Sequence, residues 1–245
     1  MDAIWPRGED AEPPKGHSRH SGFERDALDW YVEPPEVVDA LLDAEDFSGH
    51  IVWDPSCGRG NILDRCALRG LETFGSDVAD RGARGRHTWT RRDFLREPPA
   101  LCPEYFPDGK PLAIVNNPPY GRLEPNMPRG DTYAERFVRR ALDPALGADK
   151  VAMIVNGKFL WSESRWRLFG ADHPPTQILF CSDRPSMPPG HELPRLLAEG
   201  RAFKGGAIDY VWLLWVRGAA PRPPRWLQPS AAAANRSAAD LFEQE

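Results

Sequence analysis

The residues best suited to chemistry in this sequence are Asn117-Pro118-Pro119-Tyr120. The apolar run Leu112 to Val115 leads into them, which predicts a short buried strand ending at Asn116 or Asn117. Two prolines then remove N–H donors and stiffen the chain, so the sheet ladder stops there. An amide, a freed carbonyl and an aromatic ring are thereby held at the C-terminal end of a strand, where open α/β sheets place their ligands. A strand followed by a simple Pro-Pro turn is the plain alternative, so the motif has to be weighed with its surroundings.

A second constellation precedes it. Asp54-Pro55-Ser56-Cys57-Gly58-Arg59-Gly60-Asn61 follows the apolar run Ile51-Val52-Trp53 and leads into a helical pattern, Ile62, Leu63, Cys66, Ala67 and Leu68. Strand, glycine-rich turn, helix is a ligand-binding arrangement. The glycines let the backbone approach a ligand, and the helix start offers unpaired N–H groups. A bare Gly-x-Gly is weak evidence, and the flanking elements strengthen it. Asp77 ends a second short strand 23 residues after Asp54, close to the spacing at which dinucleotide folds place the acid that binds ribose hydroxyls. The turn contains Asp54 and no lysine, which favours a ligand with a cationic or zwitterionic end over a nucleoside triphosphate. Asp93-Phe94 closes a poorer third strand near His87-Thr88-Trp89.

The elements that must position these groups follow in order. Residues 1–27 are polar and rich in Pro, Gly and charge, and are expected to form a flexible tail. Pro34 and Pro35 can open a helix, and Val37, Val38, Leu41 and Leu42 give it helical spacing to about Ala44. Residues 78–86 and 96–111 are too Gly/Pro-rich for regular helices. After the strand at Leu112–Asn116, a helix capped by Asp131 or Thr132 buries Phe137, Val138, Ala141 and Leu142. A fifth strand, Val151–Val155, leads through Phe159 to a helix from Ser162 to about Phe169. Gln177–Cys181 is a sixth strand, 182–206 a long loop with Arg184, Arg195, Arg201 and Lys204, and Ile208–Val216 a seventh strand. Residues 218–245 are Ala/Pro-rich and expected to be flexible.

Composition narrows the class. The 245 residues suffice for one large domain with a full core. Cys57, Cys66, Cys102 and Cys181 form no Cys-x-x-Cys pair, which argues against a zinc site or a disulfide framework and for a reducing, cytoplasmic setting. No signal peptide or membrane-length apolar run stands out. The net charge of −5 is uneven: residues 1–46 hold 13 acidic and 4 basic side chains, so the remainder is mildly basic. That permits a polyanionic partner without demanding one.

Taken together, these motifs resemble the class I S-adenosylmethionine-dependent methyltransferases, over about residues 28–217. Within that class the chain looks like the amino-methyltransferases that modify exocyclic amines of nucleobases. The order, cofactor motifs before catalytic motif, resembles the gamma arrangement of N6-adenine DNA methyltransferases. The resemblance implies a Rossmann-like α/β sheet of seven strands in order 3-2-1-4-5-7-6, the last antiparallel, with helices on both faces. It implies one methyltransferase domain between the two tails.

It implies S-adenosylmethionine as cofactor, held by Tyr31, Pro34, Asp54, Pro55, Cys57, Gly58, Gly60, Asn61, Asp77, Asp93, Phe94 and Asn117. Where the family often has Thr-Pro, this chain has Glu33-Pro34. Asn117, Pro118, Pro119 and Tyr120 become the catalytic motif, with Tyr120, Phe159 and Arg122 as substrate contacts. No metal is required, and the expected partner is nucleic acid, DNA first. Asn116 is expected to matter far less than Asn117 if its side chain turns away from the cofactor. No segment is long enough for a separate target-recognition domain, which puts sequence specificity in question.

RNA adenine N6-methyltransferases and protein glutamine N5-methyltransferases use the same Asn-Pro-Pro-Tyr chemistry. A binding module that has lost its activity is a third possibility, against which the intact set Asp54, Gly58, Gly60, Asp77 and Asn117 argues.

Overall fold

The computed structural model describes residues 28–97, 109–121, 131–204 and 206–228. Its strands are β1 (Ile51–Asp54), β2 (Glu72–Asp77), β3 (Thr88–Arg91), β4 (Leu112–Asn116), β5 (Lys150–Asn156), β6 (Gln177–Cys181), β7 (Tyr210–Val216) and β8 (Arg225–Leu227). The helices are α1 (Pro35–Ala44), α2 (Asn61–Leu68), α3 (Tyr133–Ala141), α4 (Glu163–Arg165) and α5 (Leu193–Ala198). One sheet joins all eight strands in the order β3-β2-β1-β4-β5-β7-β6-β8. Strands β1 to β5 are mutually parallel where they pair, and β7 runs antiparallel to both β5 and β6. The expected seven-strand order and the antiparallel strand are therefore present.

The central strands read as continuous apolar runs because both faces are covered. Every residue of β1 and β4 is buried. Alternate side chains divide between two cores. Trp53, Ile114, Met153 and Leu213 face α3 with Phe94 and Phe137, while Val52, Val115, Ile154 and Leu214 face α1 and α2 with Leu41 and Ile62. Each large apolar side chain buried in this way contributes roughly 1.5–3 kcal/mol. Trp212 is fully buried, and its indole N–H donates to the Val37 carbonyl at 3.1 Å, tying α1 to the sheet. Arg65 of α2 grips Asp39 of α1 through two hydrogen bonds of 3.0 and 2.6 Å, and both side chains are buried. Losing either partner would strand a buried charge, at a cost of roughly 3–5 kcal/mol.

Helix starts follow local chemistry. Pro35 opens α1. The Thr132 hydroxyl accepts from the Glu135 N–H at 3.2 Å and caps α3. Gly60 precedes α2 with φ 90°, a conformation that favours glycine.

Three expectations need correction. Residues 218–228 are not a loose tail, because β8 pairs in parallel with β6 and Trp226 stacks on Phe180 at 5.0 Å. Segment 182–206 contains α5, opened by Leu193-Pro194. The helix expected from Ser162 to Phe169 is a single α-turn that widens into a π-helical stretch, Trp166–Asp172. In each case tertiary pairing or packing overrides a local pattern. Residues 78–87 contain no helix, as their glycines imply. The tail expected over 1–27 lies outside the described residues. No helix among the described residues is long and apolar enough to cross a membrane.

Candidate active site

Parallel pairing brings the ends of β1, β2 and β4 to one edge of the sheet. Asp54 lies beside Gly75, and Trp53 beside Ile114, so Asn116 and Asn117 project just past Asp54. A cleft opens at this edge. Of the residues expected to hold a ligand, Tyr31, Asp54, Pro55, Cys57, Gly58, Asn61, Asp77, Asp93, Phe94 and Asn117 line it, together with Pro119.

Other expected site residues are not part of that lining. Pro34 is the N-cap just before α1 and borders a separate cleft beside Val37 and Cys181. Gly60 forms the turn into α2, where a Cβ would lie 3.1 Å from the His87 ring. Pro118 is buried. The Tyr120 hydroxyl donates to the Ile154 carbonyl at 2.9 Å, and its ring packs against both cores, leaving it partly exposed. Phe159 lies under the Arg165 guanidinium at 4.2 Å and meets Phe169 edge-on. The residue remains partly exposed. Arg122 lies outside the described residues.

Asn117 has a well-defined hydrogen-bond environment. Its amide nitrogen donates to the Tyr31 carbonyl at 3.1 Å and to the Glu33 carboxylate at 3.0 Å. Both N–H groups are thus committed, and the amide oxygen is left as the acceptor, 3.4 Å from the Tyr120 hydroxyl. Asn116 does not behave as an idle neighbour. Its amide nitrogen donates to Asp54 and to the Ser56 hydroxyl, both at 2.7 Å, and the residue is fully buried. Successive residues at a strand end point to opposite sides, so Asn116 braces the acid of β1 while Asn117 faces the cleft.

Three carboxyl groups meet in the cleft. Glu33, Asp54 and Asp77 are 6%, 2% and 6% exposed. Burial pushes the Glu33 carboxyl up to about 7, against hydrogen bonds from Asn117 and the Ile62 backbone. Burial, with the nearby Glu33 charge, holds Asp54 well above the usual carboxylate range. Asp77 is raised mainly by burial. It accepts from the Gly58 N–H at 2.9 Å and the Ala79 N–H at 3.0 Å, with Arg81 at 3.9 Å. Among the described residues, no lysine or arginine forms an ion pair with Glu33 or Asp54. Buried acids left without a counter-charge favour a cation in the cleft.

The segment 30–33 closes one side. Val32 N–H donates to the Pro188 carbonyl at 2.9 Å, and Gly190 N–H to the Trp30 carbonyl at 3.0 Å. The Trp30 ring fits between glycines: a Cβ on Gly190 would lie 2.1 Å from it, and one on Gly58 2.6 Å. Arg81 sits over the same ring at 4.3 Å. Sequence reasoning missed Trp30, Glu33, Arg81, Tyr133 and Phe137 as lining residues. Glu33 was the one with a signal, standing where the enzymes that the sequence resembles often have threonine.

The chain matches no protein-family model and none of the curated proteins. Solved structures do resemble it. A Pyrococcus horikoshii protein assigned as an RNA methyltransferase superposes with a TM-score of 0.53 at 16% identity, over 81% of this chain and 91% of that one. The sheet order and that superposition decide the fold. It is a Rossmann-like methyltransferase fold. A Listeria monocytogenes protein assigned as a class I S-adenosylmethionine-dependent methyltransferase gives 0.49 at 15% identity, over 81% of this chain and 66% of that one. A type I restriction-modification methyltransferase subunit from Streptococcus thermophilus gives 0.48 at 14% identity, over 79% and 46%. Identities this low leave the substrate open.

Proposed function

We propose that this protein binds S-adenosylmethionine and transfers its methyl group to the exocyclic N6 amine of adenine in DNA. The observation that carries the reading is the arrangement at Asn117: an amide whose nitrogen is doubly committed, in the lining of a cleft where Glu33 and Asp54 are buried without an ion-pair partner among the described residues. The donor set fits this cofactor. Asp77 and its neighbours would hold the ribose, Asp93 and Phe94 the adenine end, and Glu33 and Asp54 the positively charged methionine end. Bound there, the cofactor would supply an electrophilic methyl group on a sulfonium.

The protein's part is to make a poor nucleophile reactive. The lone pair of an exocyclic aromatic amine is delocalised into its ring. Acceptors aimed at its hydrogens favour the pyramidal amine on which charge develops. The Asn117 side-chain oxygen and the Pro118 main-chain carbonyl fill this role. Pro119 has no N–H to compete for them. Tyr120 is held by its bond to Ile154 and is partly exposed, and its ring would be the surface offered to the base. Positioning of the two reactants supplies much of the rate. A base within a duplex would have to leave the stack to reach this cleft. The resemblance to N6-adenine DNA enzymes favours DNA among substrates that present such an amine.

The test is transfer of tritiated methyl groups from the labelled cofactor to duplex DNA, single-stranded DNA, RNA and a glutamine-containing peptide, followed by nucleoside or amino-acid analysis. N6-methyladenine from DNA is the expected product. Label found only in RNA or peptide would move the assignment to that substrate, and absence of cofactor binding would remove it.

A further inference from the structure

We infer that Glu33 is a positioning residue: it holds the Asn117 amide with its oxygen toward the substrate, and its ionisation is coupled to binding of the cationic cofactor. The inference rests on the reading of the cleft as an S-adenosylmethionine site. It adds a residue that the Asn-Pro-Pro-Tyr motif does not contain.

The geometry comes first. Glu33 lines the same cleft as Asn117 and is 6% exposed. Its carboxylate accepts one Asn117 N–H at 3.0 Å, and the Tyr31 carbonyl two residues earlier accepts from the same nitrogen at 3.1 Å. The strap 31–33 therefore presents two acceptors to one amide. An amide turned end for end would set its oxygen against both, so the pair selects one orientation. The strap is anchored in turn, because Asn61 of α2 donates to the Glu33 carbonyl at 3.3 Å and Val32 bonds to Pro188.

The charges facing Glu33 are mostly of its own sign. Asp54 on β1 and Asp64 on α2 act on it electrostatically, and its own charge acts on Tyr120 beyond β4. Asp77 on β2 acts on Asp54 and has Arg81 beside it. The largest opposing contributions to Glu33 are hydrogen bonds from Asn117 and from the Ile62 and Glu33 backbones, while Arg59 and Arg81 line the same cleft. Burial outweighs them and leaves the carboxyl titrating at about 7. A positive ligand in the cleft favours the carboxylate, and the carboxylic acid then gives its proton to the buffer. The ionised form is also the stronger acceptor for the Asn117 N–H. Charge on the cofactor thereby tightens the catalytic amide.

Two variants and two ligands test this. Calorimetry at pH 6.5, in buffers of different ionisation enthalpy, counts protons released on binding. Wild-type protein is expected to release a fraction of a proton with S-adenosylmethionine and less with S-adenosylhomocysteine, which lacks the sulfonium charge. Its affinity for S-adenosylmethionine should rise from pH 6 to 7 and level off above. Glu33→Gln keeps an acceptor for Asn117, so it should abolish the excess release and the pH dependence and lower kcat less than Glu33→Ala does. Glu33→Ala frees the amide and should lower kcat by roughly tenfold or more. Equal proton release in wild type and Glu33→Gln would overturn the inference and leave the cofactor site intact. So would equal kcat in the Gln and Ala variants. A wild-type protein that binds neither ligand would overturn both this inference and the proposed function.

Discussion

Replacing Glu33 with glutamine should stabilise the ligand-free protein, and by more at high pH than at low. The Glu33 carboxyl titrates at about 7 in the fold against an ordinary 4.5, chiefly because it is buried. A group whose folded pKa is raised favours the protonated native state. Its contribution is fully present below the unfolded value and is lost as pH rises through the folded value. The span between the two corresponds to about 3 kcal/mol, most of which accumulates between pH 5 and pH 8. Glutamine keeps the shape and an acceptor, and never ionises. The unfolding free energy of Glu33→Gln minus that of wild type should therefore grow by roughly 2–3 kcal/mol from pH 5 to pH 8. Asp54 and Asp77 are raised as well, but they are common to both proteins. Coupling of Glu33 to Asp54 acts in the same direction, since loss of one charge eases the other. Urea titrations followed by tryptophan fluorescence at the two pH values give the double difference. A difference that stays constant with pH would mean that Glu33 is not buried in this way and would refute the argument.

Asn117→Ala should lower kcat by roughly 100-fold or more with little change in cofactor affinity, since it removes an acceptor needed mainly in the transition state; single-turnover methyl transfer and calorimetry separate the two effects. Asn116→Ala should do the reverse, weakening cofactor binding by roughly 1–3 kcal/mol as Asp54 loses its buried partner, and equal losses of kcat at both asparagines would refute that division. Asp77→Ala should cost roughly 1.5–3 kcal/mol of cofactor affinity, and unchanged binding by calorimetry would remove Asp77 from the site. Gly190→Ala places a Cβ within 2.1 Å of Trp30 and should destabilise the protein by roughly 1–3 kcal/mol; a Tm equal to wild type would show that the strap shifts without cost.

Local pattern determined a large part of this protein. The apolar runs at Ile51–Asp54, Leu112–Asn116 and Tyr210–Val216 are buried strands because their neighbours in sequence are apolar too. The strand, glycine turn and helix around Asp54 to Leu68 are likewise a short-range arrangement, and so is the Thr132 cap. Those signals sufficed to bring Asp54, Gly58, Asp77, Asp93 and Asn117 to one cleft once parallel order was assumed.

The remainder depended on contacts between distant segments. Strand β8 has little local signal and exists because the edge of β6 is there to pair with it. The orientation of Asn117 is set 84 residues away by Glu33, and Asn116 reaches back 62 residues to Asp54. The Trp30 ring is held by glycines from two different loops, and Phe159 is turned into packing by Arg165. Hydrophobic periodicity carries no record of which polar side chains will meet. Only the folded chain excludes water from Glu33 and Asp54 together, and that exclusion makes their charges matter.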